Sequence, residues 1–243
     1  MKSAEGNIFR FKEFAVAHSH SSMKVGVDAM LTGAWGAVEG RRGLDAGCGC
    51  GVIALMAAQR NPECVIDAID IHGPSVVEAG NNFASSPWKE RLNAVCGDIL
   101  EFSTLPENQE KYDFIISNPP FFKTGIPNPE TAREKARHES NFSPASLLSM
   151  ALRLLKPNGT LSLVMPADRR EILTQQPGLW LERYILVSNS PGKQPKRIIA
   201  VLRKNSESRE AASGEIFYIR GTDGEYSKEY LDLTAPFHLF NRR

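Results

Sequence analysis

The most specific chemistry in this sequence sits in four consecutive residues, Asn118-Pro119-Pro120-Phe121, at the end of the apolar run "YDFIIS". Each proline removes a backbone N–H and disfavours helix, so such a turn offers carbonyl oxygens and few donors. Asn118 adds a side-chain carbonyl, and Phe121 adds a flat apolar ring. Phe122 either widens that ring surface or fills the core. An acceptor-rich turn beside an aromatic suits a planar amine, whose two N–H groups would be held while its ring is stacked. The simpler role would be a rigid turn with an aromatic packed beneath it.

A second constellation lies upstream in "LDAGCGCG", where Gly47, Gly49 and Gly51 follow Asp45. Glycines let the backbone turn sharply and approach a ligand, and the helix that follows presents free N–H groups. The spacing is G-x-G-x-G rather than the G-x-G-x-x-G of nicotinamide enzymes. Asp45 would repel a pyrophosphate but suits a cationic or amine-bearing ligand. Asp70 ends the next strand about twenty residues on, where ribose hydroxyls are commonly bound. Asp67 is an alternative but falls earlier in the strand. Asp98 ends a third strand, placed to accept from an exocyclic amine, with Ile99 against the ring. Each aspartate alone has an ordinary alternative as a turn or cap residue. Together they point to a nucleoside-like ligand with a positive centre.

These residues need a scaffold that brings strand ends together. "GLDAGCG", "CVIDAIDI", "LNAVCGDI", "YDFIISN" and "GTLSLVMP" read as strands, alternating with helical stretches such as "VIALMAAQR" and "PSVVEAGNNFASS". "PASLLSMALRLLK" reads as an amphipathic helix capped by Ser143 and stopped at Pro157-Asn158-Gly159. This alternation predicts an α/β fold with a mostly parallel, Rossmann-like sheet and helices on both faces. "LERYILVSN" and "KRIIAVLRK" follow with no helix between them, so they form an antiparallel C-terminal pair, and "EIFYIR" is available as one more strand. Residues 1–40 stand outside the alternation: a short strand or hairpin in "FRFKEFAVAH" and a helix in "VGVDAMLTGAWGAV", expected to cap the carboxyl edge of a domain spanning 41–243. The whole reads as one structural domain.

The glycine loop, the three aspartates and the closing antiparallel pair resemble the class I S-adenosylmethionine-dependent methyltransferases over about Arg41 to Arg203. That resemblance implies a seven-stranded sheet and S-adenosyl-L-methionine as cofactor. It implies Gly47, Cys48, Gly49 and Gly51 along the methionine portion, Asp45 near the amino group, Asp70 and Ile71 at the ribose, and Asp98 and Ile99 at the adenine. Asn118 to Phe121 is similar to the (D/N)-P-P-(Y/F/W) signature of amino-group methyltransferases. Adenine N6, guanine N2, cytosine N4 and a protein glutamine amide all present a suitable amine. Holding both N–H groups would turn the nitrogen lone pair toward the methyl group, so positioning and electrostatics carry the chemistry and no strong base is needed.

"MKVGVDAMLTGAWG", "NPPFF", "ARHE", "GKQPKR" and the tail "YSKEYLDLTAPFHLF" resemble more narrowly the bacterial tRNA1(Val) adenine-37 N6-methyltransferases. The implied activity is methylation of adenine N6 in a tRNA anticodon loop. Guanine N2 methylation of ribosomal RNA and protein glutamine methylation stand as alternatives, and a nicotinamide oxidoreductase as the rival class. Lys24 and Asp28 would belong to a segment folding over the cofactor. Where the family usually has an aspartate-arginine pair before "MKVG", this chain has "HSHSS", with His18 and His20. Arg133, Lys135, Arg137, His138, Lys193, Lys196 and Arg197 would form a local basic rim on RNA phosphates, with His138 a contact rather than a base. Extruding an unpaired loop adenine costs less than flipping a duplex base.

Composition narrows the rest. The chain has 243 residues, with 29 basic and 28 acidic side chains for a net charge of +1, which excludes a globally basic nucleic-acid binder. Cys48, Cys50, Cys64 and Cys96 lack histidines at ligand spacing, so no metal is expected. No apolar run spans a bilayer and "MKSAEGNIFRFKEF" lacks a secretory core, so the expectation is a soluble cytoplasmic enzyme that needs no membrane or protein partner.

Overall fold

A computed structural model describes residues 8–21, 24–119, 143–204 and 212–239. A hairpin of β1 (Ile8–Arg10) and β2 (Ala15–Ala17) precedes helix α1 (Val27–Trp35). The alternating part runs β3 (Arg42–Ala46), α2 (Val52–Arg60), β4 (Val65–Asp70), α3 (Gly73–Ala84), β5 (Leu92–Cys96), α4 (Ile99–Phe102), β6 (Tyr112–Ser117), α5 (Pro144–Leu154) and β7 (Leu155–Pro166). A 3₁₀ segment (Ala167–Thr174), β8 (Leu179–Ser188), β9 (Arg197–Lys204), β10 (Ser213–Tyr218) and α6 (Lys228–Thr234) complete it.

The sheet order is β10-β8-β9-β7-β6-β3-β4-β5. β9 runs antiparallel to β8, as two strands joined by a short loop do, and also to β7 on its other side. β10 lies parallel to β8, so the sheet has eight strands where seven were implied. The extra strand is "SGEIFY", long enough to pair all six of its residues with β8.

The apolar faces explain the layering. Leu44, Ile69, Ile115 and Leu163 pack with Leu147, Leu148 and Leu154 of α5 on one side of the sheet. Ile66, Phe114 and Ile116 pack with Ile53, Leu55 and Met56 of α2 on the other. Ser143 caps α5 by accepting from the Ser146 N–H. The helix ends at Leu154, earlier than Pro157-Asn158-Gly159 suggested, and the chain goes directly into β7. Asn158 takes φ 65°, and the β6–β7 register shifts near this point. These residues therefore make an irregularity in β7 rather than a helix stop.

α1 meets the carboxyl edge through its first turn, where Val27, Asp28 and Ala29 lie beside Asn118 and Pro119. The rest of the helix packs on the α2 face of the sheet. A Cβ at Gly33 would sit 2.7 Å from Met56 Sδ, so glycine is needed for this close approach. Arg60 donates to the Gly33 and Gly36 carbonyls at 2.9 and 2.7 Å, and Ala37 N–H donates to Ser162 Oγ of β7 at 2.8 Å. Among the described residues, no helix is long and apolar enough to cross a membrane.

Asp67 turns out to be a core residue. Its carboxylate accepts from Tyr112 Oη (2.8 Å), Arg42 Nη2 (3.1 Å) and Asn93 Nδ2 (3.1 Å). Tyr112 is fully buried, so removing this acceptor strands its hydroxyl. Asp67→Ala should lower the unfolding free energy by about 3 kcal/mol in denaturant titrations.

Candidate active site

The site begins where three strand ends are tied together. Gly47 and Cys48 donate their N–H groups to one carbonyl, Ile69 O, at 2.9 and 3.0 Å. Gly49 N–H donates to Asp70 Oδ2 at 2.8 Å. Ser117 Oγ, at the end of β6, donates to Ala46 O at 2.7 Å. The glycine loop is thus fastened to the end of β4, and Asn118 is set beside it.

The glycines differ in purpose. Gly47 has φ +77°, and a Cβ there would meet nothing within 4 Å, so the space before the loop is open. At Gly49 a Cβ would lie 3.0 Å from Ser21 Oγ, which brings residue 21 over the loop. Gly51 serves packing: with φ +78° it starts α2, and a Cβ would lie 2.4 Å from the Phe83 ring.

The carboxylates are held in different ways. Asp70 takes Gly49 N–H on one oxygen and His72 N–H on the other, at 2.8 Å each, which leaves lone pairs for further donors. Asp98 caps α4, its Oδ1 accepting from Leu100 N–H at 2.7 Å. Asp45 is 2% exposed; its Oδ2 accepts from Ala54 N–H at 3.0 Å, while Oδ1 is buried without a donor. Burial pushes the Asp45 carboxyl up to about 7; the Ala54 N–H opposes the shift and the Asp70 charge adds to it. Burial also pushes the Cys48 thiol well above its ordinary value, with Asp45 and Asp70 reinforcing it, so the loop offers no thiolate. Ile99 packs into the core at 7% exposure, leaving little surface for a ring, whereas Ile71 is 47% exposed.

Asn118 and Pro119 line a cavity of about 460 Å³ with Lys24, Gly26, Val27, Asp28 and Ala29. Asp28 meets Arg197 at the start of β9, with Nε donating at 3.0 Å. That ion pair joins the "GKQPKR" loop to the cavity wall. Lys193 and Lys196 are exposed on the same loop. Pro120, Phe121, Phe122, Arg133, Lys135, Arg137 and His138 lie outside the described residues. Among the described residues no cluster of three or more metal-ligating side chains occurs.

Comparison with known proteins fits this geometry. The family model "Methyltransferase small domain" matches residues 9–175. The chain belongs to this methyltransferase family. A relative from Aeromonas salmonicida named tRNA1(Val) (adenine(37)-N6)-methyltransferase is 40% identical over 95% of this chain and 97% of its own. A relative of the same name from Bacteroides fragilis is 40% identical over 95% and 97%. Among solved structures, a predicted O-methyltransferase from Agrobacterium tumefaciens superposes with a TM-score of 0.65 at 17% identity, covering 86% of this chain and 96% of its own. TrmN from Thermus thermophilus superposes at 0.50 with 25% identity, covering 73% of this chain and 47% of its own.

The methyltransferase also uses residues that the sequence pattern did not single out. On α3, Glu78 is 5% exposed while Val77 is 66% exposed, the reverse of the usual hydrophobic order. The Glu78 carboxylate accepts from the backbone N–H groups of Ser19 (2.7 Å), His20 (3.1 Å) and Ser21 (2.8 Å). One turn on, Asn82 bonds to Ala17 N and O and to Cys50 O, each at 2.9 Å. α3 therefore clamps residues 17–21 against the glycine loop. His18 continues the arrangement, its Nδ1 accepting from Val25 N–H at 3.1 Å. No periodicity announces an inward glutamate, because its partners are backbone groups of a distant segment.

Two outcomes test this site. Between about pH 4 and 7 the folded chain keeps the Asp45 proton that the unfolded chain loses, so its contribution to stability falls as pH rises and is level above about 7. In denaturant titrations of ligand-free protein, the difference between wild type and Asp45→Asn should decline over that window and then flatten. Glu78→Ala should cost about 3 kcal/mol and strip the Ser19, His20 and Ser21 amides of hydrogen-exchange protection, with Glu78→Gln intermediate.

Proposed function

We propose that this methyltransferase transfers a methyl group from S-adenosyl-L-methionine to the exocyclic N6 of adenine 37 in the anticodon loop of tRNA1(Val). The observation that carries the reading is that Asn118 and Pro119 line a cavity directly after Ser117, whose hydroxyl is bonded to Ala46 at the foot of the glycine loop. The substrate named for the relatives matches the amine that such a turn would hold.

The cofactor site fits its group. The orphaned Asp45 Oδ1 calls for a donor-bearing or cationic partner, and the open space before Gly47 leaves room for one. Asp70 would take ribose hydroxyls on its remaining lone pairs, Asp98 would accept from the adenine amine, and Ile71 offers the exposed apolar surface beside them. When bound, the cofactor supplies an electrophilic methyl group on a sulfonium. Asn118 would accept from the target amine through its side-chain carbonyl and Pro119 through its backbone carbonyl, which orients the nitrogen lone pair. Phe121 would stack on the base and Phe122 extend that surface. The proton leaves readily once the nitrogen is cationic, so no side chain need act as a strong base. Lys24 and Asp28 would close the mouth. Lys193 and Lys196 would meet RNA phosphates, joined by Arg133, Lys135, Arg137 and His138, while Arg197 is committed in part to Asp28.

Purified protein with labelled cofactor should mark tRNA from a strain lacking the gene, and nucleoside digestion should yield N6-methyladenosine. Finding only N2-methylguanosine would overturn the substrate, and label in a protein fraction would redirect it to a glutamine amide. Asn118→Ala should lower kcat on the order of 100-fold, the cost typical of losing one placed hydrogen-bonding group.

A further inference from the structure

The carboxyl edge of the sheet is electrically divided at β6. On one side β3, β4 and β5 bring Asp45, Asp70 and Asp98. On the other side Pro166 of β7 pairs with Arg197 of β9, and the β8–β9 loop exposes Lys193 and Lys196. That loop is internally bonded: Lys193 N–H donates to Ser190 O, Lys196 N–H to Val187 O, and Ser188 Oγ to Lys193 O. Its two ammonium groups stand on ordered backbone, which lowers the ordering cost of a phosphate contact.

Next to this loop stands a stack that the methyl-transfer site does not use. Arg220 follows β10, and its N–H donates to Asn189 O at 2.9 Å, beside the lysines. Its guanidinium carbon lies 4.6 Å from the centroid of the Tyr226 ring. Tyr226 in turn stacks on Tyr230, with centroids 4.7 Å apart and planes 15° from parallel. Tyr230 is 2% exposed and rooted in the core beneath α6, whereas Tyr226 is 39% exposed. The stack therefore runs from the core to the surface with Tyr226 between Tyr230 and Arg220, so the guanidinium is the flat group a base would meet and Tyr226 is the ring that supports it.

We propose that Arg220 and Tyr226 form a stacking subsite for an unpaired base of the RNA near the target adenine, with Lys193 and Lys196 on the intervening phosphates. This rests on the tRNA reading above. Guanidinium planes and aromatic rings are the surfaces on which splayed RNA bases stack. Three to four inter-strand steps separate β6 from β8 and β10, about 14–19 Å at roughly 4.8 Å each, a span that a few loop nucleotides cover. The opposite flank is unsuitable. The 3₁₀ segment is fastened to the loop by Ala167 N–H on Lys196 O (3.2 Å). Its exposed Asp168 and Glu171 are balanced by the exposed Arg169 and Arg170, so the segment adds no net charge to draw phosphate. The competing role is bracing: Arg220 Nη1 also donates to Gly224 O at 2.7 Å within its own turn.

Kinetics with tRNA, read beside melting temperature and cofactor affinity, separate the two roles. Tyr226→Leu should raise the tRNA KM roughly tenfold while kcat holds, Tyr226→Phe should retain wild-type KM, and Arg220→Gln should raise it several-fold. The salt slope of tRNA binding should be unchanged in Tyr226→Leu and shallower by about one in Lys193→Ala. A wild-type KM in Tyr226→Leu, or equal losses in the Phe and Leu variants, would overturn the subsite. If Tyr226→Leu does not fold, Arg220→Gln decides by the same readout. Wild-type protein that methylates no tRNA would overturn the functional reading and the subsite together, whereas wild-type methylation with unaffected variants sinks only the subsite.

Discussion

The site depends on a shared carbonyl. Ile69 O, at the end of β4, accepts from both Gly47 and Cys48, and the next residue, Asp70, accepts from Gly49. Three consecutive N–H groups of the glycine loop are therefore spent on one neighbouring strand end. That fixes where the loop turns, hence where α2 starts and where the open face of Gly47 points. The bond from Ser117 Oγ to Ala46 O then locks the end of β6 to the same junction. The glycine loop and the Asn118 turn are adjacent because the ends of β3, β4 and β6 share these few bonds, while the apolar core behind them keeps the strands in register.

Three buried carboxylates show how environment decides role. Asp67 is satisfied by a tyrosine, an arginine and an asparagine, and is structural. Glu78 is satisfied by backbone amides and becomes an anchor for residues 19–21. Asp45 is half satisfied, and burial raises its pKa to about 7. A buried acceptor left open is costly unless something binds it, so the unfinished partner set sets Asp45 apart from Asp67 and Glu78 and makes it the candidate for a ligand contact.

The same edge sorts its charges. Carboxylates gather where a positive centre is expected, and cations gather beyond β7, with the Asp28–Arg197 pair beside the cavity between them. A chain with a net charge of only +1 can thus present a locally basic face without being a basic protein.

By itself the sequence determined the chemistry and the class of fold. The strand-helix alternation, the glycine spacing, and aspartates at successive strand ends are local patterns, and local patterns survive in one dimension. The placing of Asn118-Pro119 at the end of β6 was legible for the same reason, since proline acts on its own backbone. Only the tertiary structure decided which polar residues are shared between distant segments. Asp67 looked interchangeable with Asp70 until Tyr112 and Arg42 were found on it. Gly51 gave no hint that Phe83 would occupy the place of its Cβ. That Ile99 is mostly buried, and that α1 packs its body on α2 through Gly33 and Met56 while its first turn reaches the cavity, were likewise decided only in three dimensions. Glu78 gave no sign at all, because burial of a charge is decided by whatever N–H groups the fold brings to it, and those lie 57 to 59 residues away.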